Sequence, residues 1–85
     1  MNSDEKYEEM LGYLENLVDH LTNLKCQGLG ITYIHNKFNC LRNLTILDLS
    51  NNKIDWIQNL RELDWLELLD LSDNKISWIT QDDAR

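Results

Sequence analysis

The sequence repeats itself with a period of about 22 residues, and this period constrains the fold more than any other feature. Segment 44–54 (LTILDLSNNKI) and segment 66–76 (LELLDLSDNKI) share the frame LxxLxLxxNxI at every fixed position. Segment 21–31 fits the same frame, with Cys26 in place of a leucine and Leu29 in place of the asparagine. Each copy then continues with an aromatic residue between two isoleucines. Such self-similarity is typical of a stacked repeat architecture.

The alternation within each copy predicts a short strand. Leu47 and Leu49 are two residues apart, so a strand turns both toward the same side, where we expect a core. The outward set on this strand is Ile46, Asp48 and Ser50. A single copy cannot bury its own apolar face, and about three stacked copies are needed for stability.

The residues after the strand also favour stacking. The amide of Asn52 can satisfy backbone groups in the bend that would otherwise be buried without partners. We expect Ile54 and Ile57 to return apolar side chains to the core from the opposite side.

With these residues and spacings, segment 21–79 resembles the leucine-rich-repeat family, and in particular its short 22-residue class. That class includes regulatory subunits of type-1 protein phosphatase, axonemal dynein light chains and the spliceosomal A-prime protein. The resemblance implies an α/β fold, a solenoid of about three repeats with short parallel strands on its concave face. It is specific for the fold and not for one function.

The first 20 residues follow a different pattern, which predicts an amphipathic helix over residues 4–20. Ser3 or Asp4 suits the helix N-cap, and several acidic residues favour the helix N-terminus. We expect residues 1–20 to cap the array and residues 21–85 to form the repeats 21–43, 44–65 and 66–85. Docking of this helix into a partner's groove is the alternative. The apolar residues at helical spacing are Tyr7, Met10, Leu11, Leu14, Leu17, Val18 and Leu21.

The C-terminal end of the array has no comparable cap in the sequence. Asp82 and Arg85 stand where the second repeat has leucines, at positions 60 and 63. The strand at residues 68–71 would therefore be an open edge. A longer chain, a polar tail acting as a cap, or coverage by a partner or a second copy would each account for this. The flank concerned consists of Leu66, Leu69, Leu71, Ile76 and Ile79.

The outward strand residues form a first candidate binding surface. Ile46 and Leu68 would make an apolar stripe on the concave face, the surface that repeat proteins commonly use for binding. Asp48 and Asp70 would flank this stripe with negative charge. Aspartate is also a common consensus residue in this frame, so the two apolar residues are the more informative.

An aromatic column of Tyr33, Trp56 and Trp78 forms a second candidate surface. Stacking of the repeats would bring these rings near one another and stabilise the array by about 0.5–1.5 kcal/mol per pair. Exposed, the same rings would form an apolar patch of the kind found at binding hot spots. Trp65, just before the third strand, could extend either surface.

Composition narrows the class of partner. The formal net charge is −7, and the few basic residues are scattered, which disfavours direct contact with nucleic acid. A protein partner of basic or mixed charge fits better, although acidity also serves solubility. No apolar run approaches the roughly 20 residues of a membrane span.

The cysteines and histidines predict neither metal binding nor catalysis. Cys26 and Cys40 form no ligand cluster with His20 or His35, so we expect no metal and no cofactor. No signal peptide precedes the repeats, and we interpret both cysteines as buried thiols of an intracellular protein, cytoplasmic or nuclear. There is no evident nucleophile with a base and no Gly-rich phosphate loop, so an enzyme is not expected.

Together these features predict a noncatalytic protein-interaction module, or a small subunit of a larger assembly. Binding would use the concave face or the uncapped C-terminal end, and self-association through that end is one form of it. One alternative is a ribonucleoprotein component, since the first repeat with Cys26 and Gly28 looks like the opening of the A-prime protein. The other is a fragment of a longer leucine-rich-repeat regulator.

Overall fold

One α-helix and three short strands make up most of the regular structure of residues 3–77, the part of the chain that the computed structural model describes. The helix α1 spans Ser3–Leu14 and is followed by a 3₁₀ turn at Glu15–Leu17. The strands are β1 (Asn23–Lys25), β2 (Ile46–Asp48) and β3 (Leu68–Asp70). A 3₁₀ helix at Asn36–Cys40 lies between β1 and β2.

The three strands, one from each repeat, pair in parallel in the order β1–β2–β3. The near-constant spacing of the repeats places equivalent residues side by side, so residues that match in sequence are also neighbours in space. The predicted α/β arrangement of an N-terminal helix with parallel strands is confirmed. The outward rows of this sheet are Asn23–Ile46–Leu68 and Lys25–Asp48–Asp70.

The second repeat supplies the centre of the core. Leu47 and Leu49 are completely buried, as is Ile54, and Ile57 is buried beside them, so their predicted inward orientation is confirmed. Phe38, which the repeat frame does not single out, is also completely buried and lies near the ring of Tyr7, with 6.3 Å between centroids. The other buried apolar residues of the second repeat are Leu44, Leu60 and Leu63.

Asn52 ties the bend after β2 to the preceding repeat. Its Oδ1 atom accepts hydrogen bonds from the backbone N–H groups of Leu29 and Ile31, both at 3.0 Å. Its Nδ2 atom donates to the backbone carbonyls of residues 26, 49 and 50 at 2.9–3.0 Å. The predicted role of this amide in satisfying buried backbone groups is confirmed.

Asn74 makes the same connection one repeat later. Its Oδ1 atom accepts from the N–H of Ile54 at 2.9 Å, and its Nδ2 atom donates to the carbonyls of residues 49, 71 and 72. Leu29 holds the equivalent position in the first repeat, where no earlier repeat presents backbone groups, and its side chain is exposed. The amide is therefore used where a preceding repeat exists.

The helix α1 covers the first repeat, although it ends earlier than predicted. Tyr7, Leu11 and Leu14 are buried, and the hydroxyl oxygen of Tyr7 accepts a hydrogen bond from the N–H of His35 at 3.0 Å. Leu17, expected on the same apolar stripe, is 43% exposed. It lies in the 3₁₀ turn, whose three residues per turn carry its side chain away from the stripe.

Two further expectations about burial are wrong. Ser50 is buried rather than outward, because the strand ends at Asp48 and the alternation of sides no longer applies beyond it. Cys40 is exposed, because it ends the 3₁₀ helix whose buried residue is Phe38. Cys26 is a buried free thiol, as expected, with its Sγ atom 3.9 Å from the sulfur of Met10.

Among residues 3–77 no helix has the length and apolar character needed to cross a membrane.

Candidate interaction surfaces

The outward side chains of β1, β2 and β3 form a surface that we call the strand face. Ile46 is half-buried in it, and Leu68, beside Ile46 in register, is 55% exposed. The neighbouring row combines Lys25 with Asp48 and Asp70 and so carries charge of both signs. The structure thus brings four of the predicted site residues together, as an apolar pair beside an acidic pair.

Both aspartates of the strand face also stabilise the bend after their own strand. Asp48 Oδ1 accepts a hydrogen bond from the N–H of Ser50 at 2.9 Å. Asp70 Oδ1 accepts from the N–H and the Oγ–H of Ser72 at 3.0 and 2.6 Å. The hydrogen bonds from Ser72 lower the pKa of Asp70 below its ordinary value, because they favour the ionised carboxylate.

Tyr33 of the predicted aromatic column packs against the capping helix. Its ring meets that of Tyr7 edge to face, with 5.3 Å between centroids, and its hydroxyl donates a hydrogen bond to Glu8 Oε1. The hydrogen bond to Glu8, aided by partial burial and by the charge of Glu8, raises the pKa of Tyr33 to about 12. Trp56 is partly exposed, and Trp78 lies outside the described residues. Packing of the three rings against one another stays a prediction.

The flank of the third repeat is more exposed than the equivalent positions one repeat earlier. Leu69 is 37% exposed, whereas Leu47, its neighbour in register, is completely buried. Trp65, the residue immediately before this repeat, is 70% exposed. An open C-terminal end stays a prediction, because Ile79 and the residues around it lie outside the described part of the chain. The half-buried residues of this flank are Leu66, Leu71 and Ile76.

Two shallow grooves beside α1 were not predicted from the sequence. One, of about 230 Å³, lies between the helix and Leu29. The other, of about 260 Å³, lies between the end of the helix and the 3₁₀ helix that carries the exposed Cys40. Leu29 at an asparagine position was the one sequence signal for the first groove, since an apolar residue there has no place in the repeat frame.

The described residues do not assemble a metal site, since no group of three or more His, Cys, Asp or Glu side chains within 3–77 could hold an ion. Burial raises the pKa of the Cys26 thiol to about 11, which keeps it protonated and unreactive at neutral pH.

The comparisons with known proteins agree with the repeat frame. The family model described as Leucine Rich Repeat matches residues 43–63 and 65–83, the second and third repeats. The first repeat, with Cys26 and Leu29 at two frame positions, lies outside this match. Searches of curated proteins and of solved structures returned no significant match. The repeat frame, the parallel strands in register and the family match together identify residues 43–63 and 65–83 as repeats of the leucine-rich-repeat family.

Proposed function

We propose that this chain is a noncatalytic protein-interaction module whose main binding surface is the strand face. Members of the leucine-rich-repeat family generally mediate protein–protein interaction. The observation that carries the proposal is the exposure of Leu68 next to Ile46. Covering two adjacent apolar side chains with a partner is favourable, because it removes apolar surface from water. In this proposal the strand face is the concave side of a short solenoid.

The charges of the strand face indicate the chemistry of the partner. Asp48 and Asp70 each use one carboxylate oxygen in their own bend, which leaves the second oxygen available to a donor from outside. Lys25 ends the same row with the opposite sign. A protein surface with an apolar centre and a mostly basic rim would fit this pattern, and the net charge of −7 would favour its approach.

The test replaces the apolar pair by charges. Ile46→Asp with Leu68→Asp should lower the affinity for a partner, captured from the source cells and then purified, by at least about tenfold, because a desolvated charge opposes apolar contact. The circular dichroism spectrum should stay that of the folded chain, since neither side chain is fully buried.

Tyr13→Asp with Leu17→Asp is the matched control, because it places two carboxylates on exposed apolar positions near α1. This control should leave the affinity unchanged. Undiminished binding by the strand-face variant, with a folded spectrum, would show that the partner uses another surface.

A further inference from the structure

The outer edge of β3 carries backbone N–H and C=O groups that have no partner in the described part of the chain, although the equivalent groups of the preceding repeat are hydrogen-bonded. At the two ends of β2, the N–H of Leu49 donates to the carbonyl of Asp70 at 2.8 Å, and the carbonyl of Thr45 accepts from the N–H of Leu68 at 3.0 Å. The equivalent groups of the third repeat are the N–H of Leu71 and the carbonyl of Glu67. Neither has a partner among residues 3–77.

Leu69 lies between these two residues and completes the edge. In a strand, the N–H and C=O groups of alternate residues point to the same side, so those of Leu69 point outward with the groups of residues 67 and 71. The edge therefore presents, in order, an acceptor at 67, a donor and an acceptor at 69, and a donor at 71. Read in the opposite direction, this order is complementary to itself.

We propose that the open flank binds a second copy of this chain, with β3 paired antiparallel to β3 of that copy about a two-fold axis at Leu69. The N–H of Leu69 then donates to the carbonyl of Leu69 in the second copy, and the reverse bond forms by symmetry. The N–H of Leu71 donates to the carbonyl of Glu67 across the axis, again in both directions. The two three-stranded sheets become one continuous sheet of six strands.

The side chains support this pairing. Leu69 and Leu71 lie on the core side of β3, so the two-fold axis brings together the apolar flanks of the two copies. Leu69, which is partly exposed in the single chain, then becomes covered, as Leu47 already is. The pairing extends the kind of contact that already joins the second and third repeats within one chain. On the strand face, Leu68 lies opposite Asp70 of the second copy, so the like-charged Asp70 side chains are not directly opposite each other.

A symmetric pair also fits the other end of the array. The flank of the first repeat is covered by α1, whose Leu11 is completely buried, so a head-to-tail contact would first have to displace the helix. The two-fold pair uses one surface twice and closes after two copies. Each copy carries a net charge of −7, so their mutual repulsion should weaken as salt is added, and the pair should become tighter.

Sedimentation equilibrium of the whole chain tests the proposal. The wild type should shift with rising concentration from the 10.1 kDa monomer to twice that mass and no further. In high salt this shift should occur at a lower protein concentration. Leu69→Asp and Leu69→Lys should each be monomeric, because like charges meet on the axis. An equimolar mixture of the two variants should recover the dimer, because opposite charges then meet. Ile46→Asp, on the strand face, should leave the dimer intact.

A second measurement needs no substitution. Hydrogen exchange at the amides of Leu69 and Leu71 should slow as the wild-type concentration rises, whereas the amide of Leu68, already bonded to Thr45, should not change. A wild type that stays monomeric at millimolar concentration, forms larger polymers, or shows no concentration-dependent protection at these amides would overturn the proposal. So would folded variants of opposite charge that fail to pair.

The pairing rests on the proposed interaction function, but it uses the flank of the third repeat and not the strand face. Dimer formation and partner binding can therefore be contradicted independently. Loss of the dimer with retained sensitivity of partner binding to Ile46→Asp and Leu68→Asp would overturn the pairing alone. A dimer whose partner binding ignores the strand face would overturn the main binding surface alone.

Discussion

At the level of single residues, the asparagine that follows each strand has the most demanding position. Asn52 is buried, and its side chain forms hydrogen bonds with five backbone groups, three of which belong to the preceding repeat. The position before it needs a left-handed backbone: Asn51 has φ 55°, and Gly28 and Asp73 hold the equivalent positions with φ 67° and 56°. Glycine, asparagine and aspartate are residues that adopt this conformation with little strain.

The first prediction concerns this amide. Asn52→Ala should lower the free energy of unfolding by about 3 kcal/mol, because several buried backbone groups lose their partners. Asn74→Ala should cost less than half as much, because Asn74 is only half-buried and water can replace its bonds. Urea unfolding of both variants checks the order. Equal losses, or a larger loss for Asn74→Ala, would contradict a structural role that depends on burial.

At the level of elements, the N-terminal segment is held on the repeats by apolar packing, by the hydrogen bond from His35 to Tyr7, and by two contacts of acidic side chains. Glu8 accepts a hydrogen bond from Tyr33, and Glu15 forms an ion pair with Lys37. Both pairs connect the N-terminal segment to the connection between β1 and β2. The exposed ion pair adds little stability, so the buried side chains of Tyr7, Leu11 and Leu14 account for most of the attachment.

The second prediction concerns the contact between Glu8 and Tyr33. Glu8→Ala should move the pKa of Tyr33 from about 12 toward its ordinary value of 10.0, because the main cause of the shift is removed. An NMR titration of labelled Tyr33 measures this. Glu9→Ala, which changes the adjacent residue, is the control and should leave the pKa of Tyr33 high. A wild-type Tyr33 that titrates near 10.0 would contradict the contact.

The same contact predicts how stability depends on pH. The folded-state pKa of Tyr33 lies above that of the unfolded chain, so folding favours the protonated phenol. The stabilisation is complete below pH 10 and is lost as the pH rises through about 12. The free energy of unfolding of the wild type should therefore fall more steeply over this range than that of Glu8→Ala.

At the level of the whole molecule, burial decreases from the second repeat to the third. The inward residues of the second repeat have a neighbour on both sides, whereas Leu69, Leu71 and Ile76 remain partly accessible. The same side chain at the same frame position should therefore contribute a different amount to the free energy of unfolding, according to its place in the array. This gradient, and not the composition of any repeat, is the reason that the proposed pairing uses the third repeat.

The third prediction measures this gradient. Leu47→Ala should cost about 3 kcal/mol of unfolding free energy, because it leaves a cavity in a closed core. Leu69→Ala should cost less than about 1.5 kcal/mol, because the truncated site is already in contact with water. Urea unfolding should be measured at a concentration where sedimentation shows only monomer. Similar losses at both positions would mean that the third repeat is as well covered as the second.

Much of the fold was predictable from the repeat. The frame predicted the inward leucines and the role of Asn52, and the helical spacing of apolar residues before it predicted the capping helix, because each depends on residue type and spacing alone. It did not predict the burial of Ser50, the exposure of Cys40 and Leu17, or the place of Phe38. These depend on where a strand ends or where a 3₁₀ turn replaces an α-helix, and the period of the sequence carries no information on either.

The sequence by itself determined the unit, its frame and the register of the strands, since a nearly constant period places like residues side by side in any stack. Only the tertiary structure decided which of these like residues are covered. Leu47 and Leu69 match in sequence, yet one is closed in the core and the other lies at the edge. Tyr33 matches Trp56 in the frame, yet α1 engages the ring of Tyr33. The reason is that burial depends on the neighbouring element, which a repeat does not specify for its own ends.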